Sequence, residues 1–420
     1  MNLFEEDLLE RLNSIRQKGL YRELRRIDSP QAPRLRIDGE WLLNFSSNDY
    51  LGLANEPLTK EAAIRAIDKY GAGSGASRLI TGSLAPHLEL EEALAEFKGT
   101  EAALTFSSGY SASVGTICAL LDKEDVIIID KVVHASIVDA ARLCRAKLRV
   151  FAHNDVDDLE AILRWADQRR RTDSLSGNWH SQSRTRILIV TESVFSMDGD
   201  CAPLPEIVEL KDTYGAWLML DEAHASGLYG LRGAGLAAER GLQDRIEVQM
   251  GTLGKALGAS GGFVCGSRVL IDYLINQART FIFSTAPVPA AAGAAQAGIK
   301  FVQSAAGVTR RDLLWQRVAQ VQEGLAPRAK PLGSRPEGFS SAILPIVIGD
   351  ESKAVEIAAS LRSHGIYIPA IRFPTVSRGQ ARLRLTVTAA HTESDVEQLI
   401  QASTLLQAAE RASPGISNPL

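Results

Sequence analysis

The chain has 420 residues, 45% hydrophobic and 23% charged, with a formal net charge of −4 at pH 7. Those proportions exclude a disordered or coiled-coil chain, and the mild acidity offers no basic field to recruit nucleic acid or anionic lipid. This length suits one large domain with a smaller companion, or two of moderate size.

The opening stretch, MNLFEEDLLERL, sets apolar residues at helical spacing among acidic ones. It lacks the basic start and apolar centre of a secretory signal, so a cytoplasmic protein is expected. The rest of the first 40 residues reads as a loose, proline-containing arm, and Trp41–Leu53 as a short strand ending in a turn. Residues 56–70 have helical spacing and lead into the glycine-rich GAGSGASRLITGS. There Gly71, Gly73 and Gly75 either shape a pocket or simply form turns.

Apolar runs then recur: AALTF (102–106), VIIID (126–130), LRVFAH (148–153), ILIVTE (187–192), WLMLDE (217–222), VQMG (248–251) and GGFVCG (261–266). Most are separated by enough chain for a crossover helix, which predicts an α/β domain around a mostly parallel sheet. The polar RTDSLSGNWHSQSRTR (171–186) reads as an exposed loop. Thr280–Ile299 lacks charge but carries two prolines, a glutamine and hydroxyls, so it reads as a buried or interface segment and not a membrane span. Beyond residue 300, helical segments alternate with SAILPIVIG (341–349), GIYIPAIRF (365–373) and ARLRLTV (381–387), the texture of a smaller α+β domain. The expected divisions are an arm, 1–55, packing with the small domain, a large domain, 56–300, and a small domain, 301–420; the tail ERASPGISNPL should fray. Cys118, Cys144, Cys201 and Cys265 form no CxxC pair, so buried reduced thiols are expected, with no disulfide framework and no metal.

Ligands of open α/β sheets bind at the carboxyl ends of the strands, and four such ends carry reactive side chains. Asp221 closes WLMLDE and His224 follows three residues on; the carboxylate could hold a protonated ring nitrogen, though a helix cap and a surface histidine explain the pair equally well. Lys255 lies among glycines in MGTLGKALGASGG, where it could form an imine with a carbonyl compound, although taken alone it reads better as a solvated loop lysine. A phosphate-binding P-loop is excluded there, because Gln249 and Ala256 replace the required glycine and Ser/Thr. After AALTF come Ser107, Ser108, Gly109 and Tyr110 at the start of an apolar helix, which suits a phosphate or mere capping. His134 follows VIIID and could stack on a flat ligand, although by itself a merely structural histidine explains it as well. A phosphate cradle, a stacking ring, an acidic partner and an imine-forming lysine are together the parts of a pyridoxal 5′-phosphate (PLP) site.

NFSSNDYLGL, SSGYSAS, DKVVHAS, TESVFSMDGDCAPL, LDEAHASGLYG, GTLGKALGASGG, FIFSTAPVP and ARLRLTVTAAHT resemble the α-oxoamine synthase family of fold type I PLP enzymes, over nearly the whole chain. The resemblance implies a large domain with a mostly parallel sheet, a smaller α+β C-terminal domain, and a homodimer. It makes Lys255 the Schiff-base lysine, Asp221 the partner of the ring nitrogen, His224 that of the phenolate oxygen, and His134 the stacking ring. Gly109, Tyr110, Ser196 and Thr252 would help bind cofactor or phosphate, and Ser284 and Thr285 the phosphate of the neighbouring subunit. Arg384, assisted by Asn48, would take the amino-acid carboxylate, and Arg22 and Thr375 the acyl substrate. AIRFPTVSRGQARLRLTVTAAH is similar to the branch that condenses L-alanine with pimeloyl-CoA or a pimeloyl carrier protein in biotin synthesis, releasing CO2 and the free thiol. Phe373 and Ser377 replace that branch's usual prolines, and Phe373 also fits the glycine acetyltransferases, which keeps that alternative open.

Two further readings are weaker. Gly233, Gly235 and Ala238 match the G-x-G-x-x-A of nicotinamide enzymes but follow no strand-like run. A catalytically silent partner subunit would have little reason to keep Lys255, Asp221, His224 and Arg384 together.

Overall fold

The computed structural model describes residues 2–175, 185–326 and 339–412. Its strands are β1 (Arg34–Ile37), β2 (Glu40–Asn44), β3 (Ala102–Phe106), β4 (Val126–Asp130), β5 (Lys147–Phe151), β6 (Ile187–Glu192) and β7 (Trp217–Asp221). They continue with β8 (Val248–Thr252), β9 (Gly262–Gly266), β10 (Ile343–Gly349), β11 (Ile366–Tyr367), β12 (Ala370–Ile371) and β13 (Ala381–Thr386). The chain forms two compact units: Leu53–Ser196 with Asp200–Arg311, and Met1–Gly52 with Met197–Gly199 and Asp312–Leu420.

The larger unit holds a seven-stranded sheet in the order β3-β9-β8-β7-β6-β4-β5. Only β9 runs against its neighbours, so the other six carboxyl ends share one edge. The strands β3, β4 and β6 are buried at every residue, which is why they read as unbroken apolar runs and not as alternating ones. Helices Gly109–Leu120, Ala135–Leu143 and Leu204–Tyr214 fill crossovers between strands. Within Thr280–Ile299, helix Pro289–Gln303 buries Ala292, Ala295 and Ile299, and no helix among the described residues is long and apolar enough to cross a membrane. Three of the cysteines are buried and Cys118 is half-buried.

The smaller unit carries two three-stranded sheets, β1-β2-β11 and β10-β13-β12. The arm is less loose than its composition suggests. In β1, RLRI alternates exposed and buried residues and pairs antiparallel with β2. Asp38 (φ 52) and Gly39 (φ 90) make the two-residue turn between them, an Asp-Gly hairpin signal that the surrounding arginines obscure. Leu35, Ile37 and Leu42 form its core with Tyr367.

Two other expectations are corrected. GIYIPAIRF is not one strand: β11 joins β2 and β12 joins β13, with Pro369 between them withholding a ladder N–H. The polar stretch from 171 begins as helix, since Val156–Leu175 runs through it. Arg171 Nε meets Asp167 Oδ2 at 2.8 Å one turn back, so this polarity belongs to a charged helix face. Residues 176–184 of that loop lie outside the described residues, as do the last eight of the tail, whose first three end helix Glu393–Ala412.

Candidate active site

The shared carboxyl edge of the larger unit brings Asp221, His224, Lys255 and His134 into one electrostatic group. Asp221 ends β7, is 5% exposed, and accepts the Ala223 N–H on Oδ1 at 2.8 Å. Burial raises its pKa and the charge of Lys255 pulls it back, so a further cation would be stabilising here. Lys255 lies in the turn from β8 to β9, and its Nζ is 2.7 Å from His224 Nε2. That turn is held by its own backbone: Leu253 N–H donates to Gly261 O, Gly258 N–H to Lys255 O and Ala259 N–H to Leu253 O. Thr252 Oγ donates to Gly261 O at 3.0 Å and accepts from Gly254 N–H at 3.2 Å, so its proton is already committed to shaping the lysine turn.

His134 caps helix Ala135–Leu143, its Nδ1 accepting from the Ser136 N–H at 3.2 Å. An accepting Nδ1 leaves the hydrogen of the neutral ring on Nε2. Burial, ahead of the opposing pull of Asp221, lowers the ring's pKa, which favours that neutral, flat aromatic form. Ser136 Oγ continues to Ser113 Oγ at 3.2 Å, and Ser113 donates to Gly109 O at 3.2 Å. A hydroxyl chain thus ties the histidine to the start of helix Gly109–Leu120. That start is capped by Ser108, which accepts from Ser111 N–H. A helix start exposes N–H groups without intrahelical acceptors, here those of Gly109 and Tyr110, and these suit an anion. The Tyr110 hydroxyl donates to Asp139 Oδ2 at 2.9 Å.

Ser196 is half-buried, four residues beyond the end of β6. Ser284 and Thr285 belong to a different local structure. Thr285 bridges Ser77, Ala286 N–H donates to Ala76 O, and Ser74 Oγ donates to Pro287 O at 2.6 Å. These bonds anchor the glycine-rich segment. There Gly71 (φ +85) and Gly75 (φ +73) need left-handed backbone and a Cβ on either would meet nothing within 4 Å, which favours the turn-forming role.

In the smaller unit the structure forms two pairs. Arg384 on β13, 7% exposed, donates to Asn48 Oδ1 at 3.0 Å and approaches the Tyr50 hydroxyl at 3.5 Å. The chain carrying Asn48 runs beside β13 because Thr386 N–H donates to Phe45 O and Ala389 N–H to Tyr50 O. Arg22 Nη2 lies 3.4 Å from Thr375 Oγ1.

Glu192 is a residue that the sequence reading passed over. It ends β6, is 2% exposed, and stands opposite Asp221 in the sheet register. Its Oε1 accepts the backbone N–H of His134 at 2.6 Å. Burial, with the Asp221 charge beside it, pushes its pKa up to about 8. The signal was available, because ILIVTE, like WLMLDE, closes an apolar strand with a carboxylate. The nicotinamide motif, by contrast, has a structural role. Gly233 ends a short turn with no strand before it, and a Cβ on Gly235 would lie 2.4 Å from the Glu222 carboxylate, itself paired with buried Lys98.

A lysine at a parallel-sheet edge, hydrogen-bonded to a histidine and grouped with a buried aspartate and a helix start, is a donor set that fits PLP. The chain belongs to the PLP enzymes of fold type I, matching the family described as aminotransferase class I and II over residues 40–402. Within that family it groups with the 8-amino-7-oxononanoate synthases. It is 46% identical over 392 residues to a putative 8-amino-7-oxononanoate synthase of Desulfovibrio desulfuricans, covering 93% of this chain and 96% of that one. To the 8-amino-7-oxononanoate synthase of Thermoanaerobacter pseudethanolicus it is 44% identical over 393 residues, covering 94% of each. It is also similar to a serine palmitoyltransferase variant from S. paucimobilis solved with a PLP–myriocin aldimine (TM-score 0.85, 28% identity, 98% of this chain and 99% of that one).

Proposed function

We propose that the protein condenses L-alanine with a pimeloyl thioester, carried on CoA or a carrier protein, to give 8-amino-7-oxononanoate, CO2 and the free thiol, and that it works as a homodimer. The observation that carries this reading is the Lys255–His224 contact at 2.7 Å beside buried Asp221, in a chain whose relatives bear that enzyme's name.

Bound PLP supplies an electron sink for the negative charge left on an amino-acid α-carbon when its proton is removed. The chain's residues would do the rest. Lys255 Nζ would hold the cofactor's carbonyl carbon and, once released from it, carry the α-proton. Asp221 would keep the ring nitrogen protonated, since a buried carboxylate is best stabilised by a cation at hydrogen-bonding distance. His224 would bond the phenolate oxygen and His134 would lie against the ring. The N–H groups of Gly109 and Tyr110, with Ser196, would hold the phosphate, joined by Ser284 and Thr285 from the neighbouring subunit, and Thr252 would support the cofactor through the lysine turn it shapes. Arg384 is suited to the alanine carboxylate because its planar fork can donate two parallel bonds, with Asn48 fixing one arm. Arg22 and Thr375 would meet the acyl chain.

The test is Lys255→Ala with a substrate matrix. The wild type should absorb in the visible as a PLP imine, respond to L-alanine and turn over pimeloyl thioester. The variant should lose both the chromophore and turnover. Full activity in the variant, or much faster turnover of glycine with acetyl-CoA by the wild type, would refute the assignment.

A further inference from the structure

We propose that Glu192 is a positioning residue for the reaction: from the sheet row it shares with Asp221, its carboxyl fixes the backbone of His134 and so the plane of the imidazole against which the cofactor ring would lie. The inference rests on the function proposed above and adds to it a residue outside the set assigned there.

Geometry makes the argument. Residue 134 must be held at both ends for its ring to keep one plane. The ring end is fixed by the Ser136 N–H, which donates to Nδ1 at 3.2 Å. The backbone end is fixed by Glu192 Oε1 at 2.6 Å. Nothing local to β4 and its following helix supplies that second bond, because Glu192 comes from β6, 58 residues on. The strand order places β6 between β4 and β7, so one side chain at its end reaches both the histidine's backbone and the row of Asp221.

The choice of a carboxyl raises a charge question. Glu192 and Asp221 are direct register partners, and two ionised carboxylates there would repel each other across a dry edge. The groups facing Glu192 are Asp130 from β4, the His134 backbone, Asp221 from β7 and Lys255 from the turn after β8. Asp130 is already answered by His153, which leaves Lys255 between Asp221 and Glu192, and Glu192, pushed up to about 8, takes the proton. A neutral carboxyl still accepts from the His134 N–H and leaves the negative charge to Asp221.

The test compares Glu192→Gln, which keeps a neutral acceptor, with Glu192→Met, which keeps the volume and drops it. Apoprotein would be titrated with PLP by fluorescence quenching, and L-alanine KM and kcat measured on reloaded enzyme. Glu192→Gln should bind PLP within about threefold of wild type, and Glu192→Met about tenfold more weakly, as expected for one lost buried hydrogen bond. Rescue by Gln but not Met supports the proposal, whereas equal binding by both variants and the wild type overturns it. Should Glu192→Met not fold, hydrogen exchange at the His134 amide of the wild type decides. Strong protection of that amide supports the bond to Glu192, and exchange as fast as in an open loop overturns it. A wild type that binds no PLP would instead sink the function reading itself.

Discussion

His153 offers a sharp pH experiment close to the candidate site. Its Nδ1 meets both oxygens of Asp130 at 3.0 and 3.1 Å, and its Nε2 meets Asp200 Oδ2 at 2.8 Å. Asp130 ends β4, and Asp200 closes the turn carrying Phe195, whose ring meets the imidazole edge-on at 4.4 Å. Burial alone would lower the ring's pKa, but the two aspartates overcome it and raise it from 6.5 to about 10. At about 1.4 kcal/mol per unit, a rise of roughly 3.5 units sets a ceiling near 5 kcal/mol. The side chain is 25% exposed, and solvent screening brings the expected contribution to about 2–3 kcal/mol. Because the folded state favours the protonated ring, this stabilisation is fully present below about pH 6.5 and is lost as pH rises through about 10. Urea unfolding of wild type and His153→Gln, followed by far-UV circular dichroism, should show the gap near 2–3 kcal/mol at pH 6, roughly halved at pH 8, and small above pH 10. A gap that stays constant across this range would show that the imidazole is neutral and that the two-aspartate clamp is not an ion pair.

Other consequences can be measured alongside it. Lys98→Met leaves the fully buried Glu222 carboxylate without its cation, and should cost about 3–5 kcal/mol in chemical unfolding, much of it recovered in Lys98→Met/Glu222→Leu. Gly262→Ala places a Cβ 2.5 Å from Ser108 O and 2.6 Å from Gly109 N. It should shift the start of helix Gly109–Leu120, destabilise by about 1–3 kcal/mol and speed PLP release, monitored by absorbance during dialysis. Arg384→Lys should raise the L-alanine KM about tenfold or more, since an ammonium cannot reproduce the two-bond fork; an unchanged KM would remove Arg384 from carboxylate binding.

All seven strands of the large sheet, and the placing of Asp221, His134, Lys255 and the Ser108–Gly109 helix start at strand ends, follow from the sequence alone. Buried parallel strands write themselves as continuous apolar runs, and the residue that ends such a run reaches the binding edge whatever its neighbours are. The resemblance then assigned chemistry to those positions. Tertiary structure decided which strand lies beside which. The order β3-β9-β8-β7-β6-β4-β5 is not written in any local period, so the pairing of Glu192 with Asp221 and its reach to the His134 backbone stayed hidden although each residue was in plain view. The same holds for GIYIPAIRF, whose two halves pair with strands far apart in the chain. Periodicity reports how a segment meets its immediate surroundings, whereas contacts between distant segments are chosen by the packing of the whole fold.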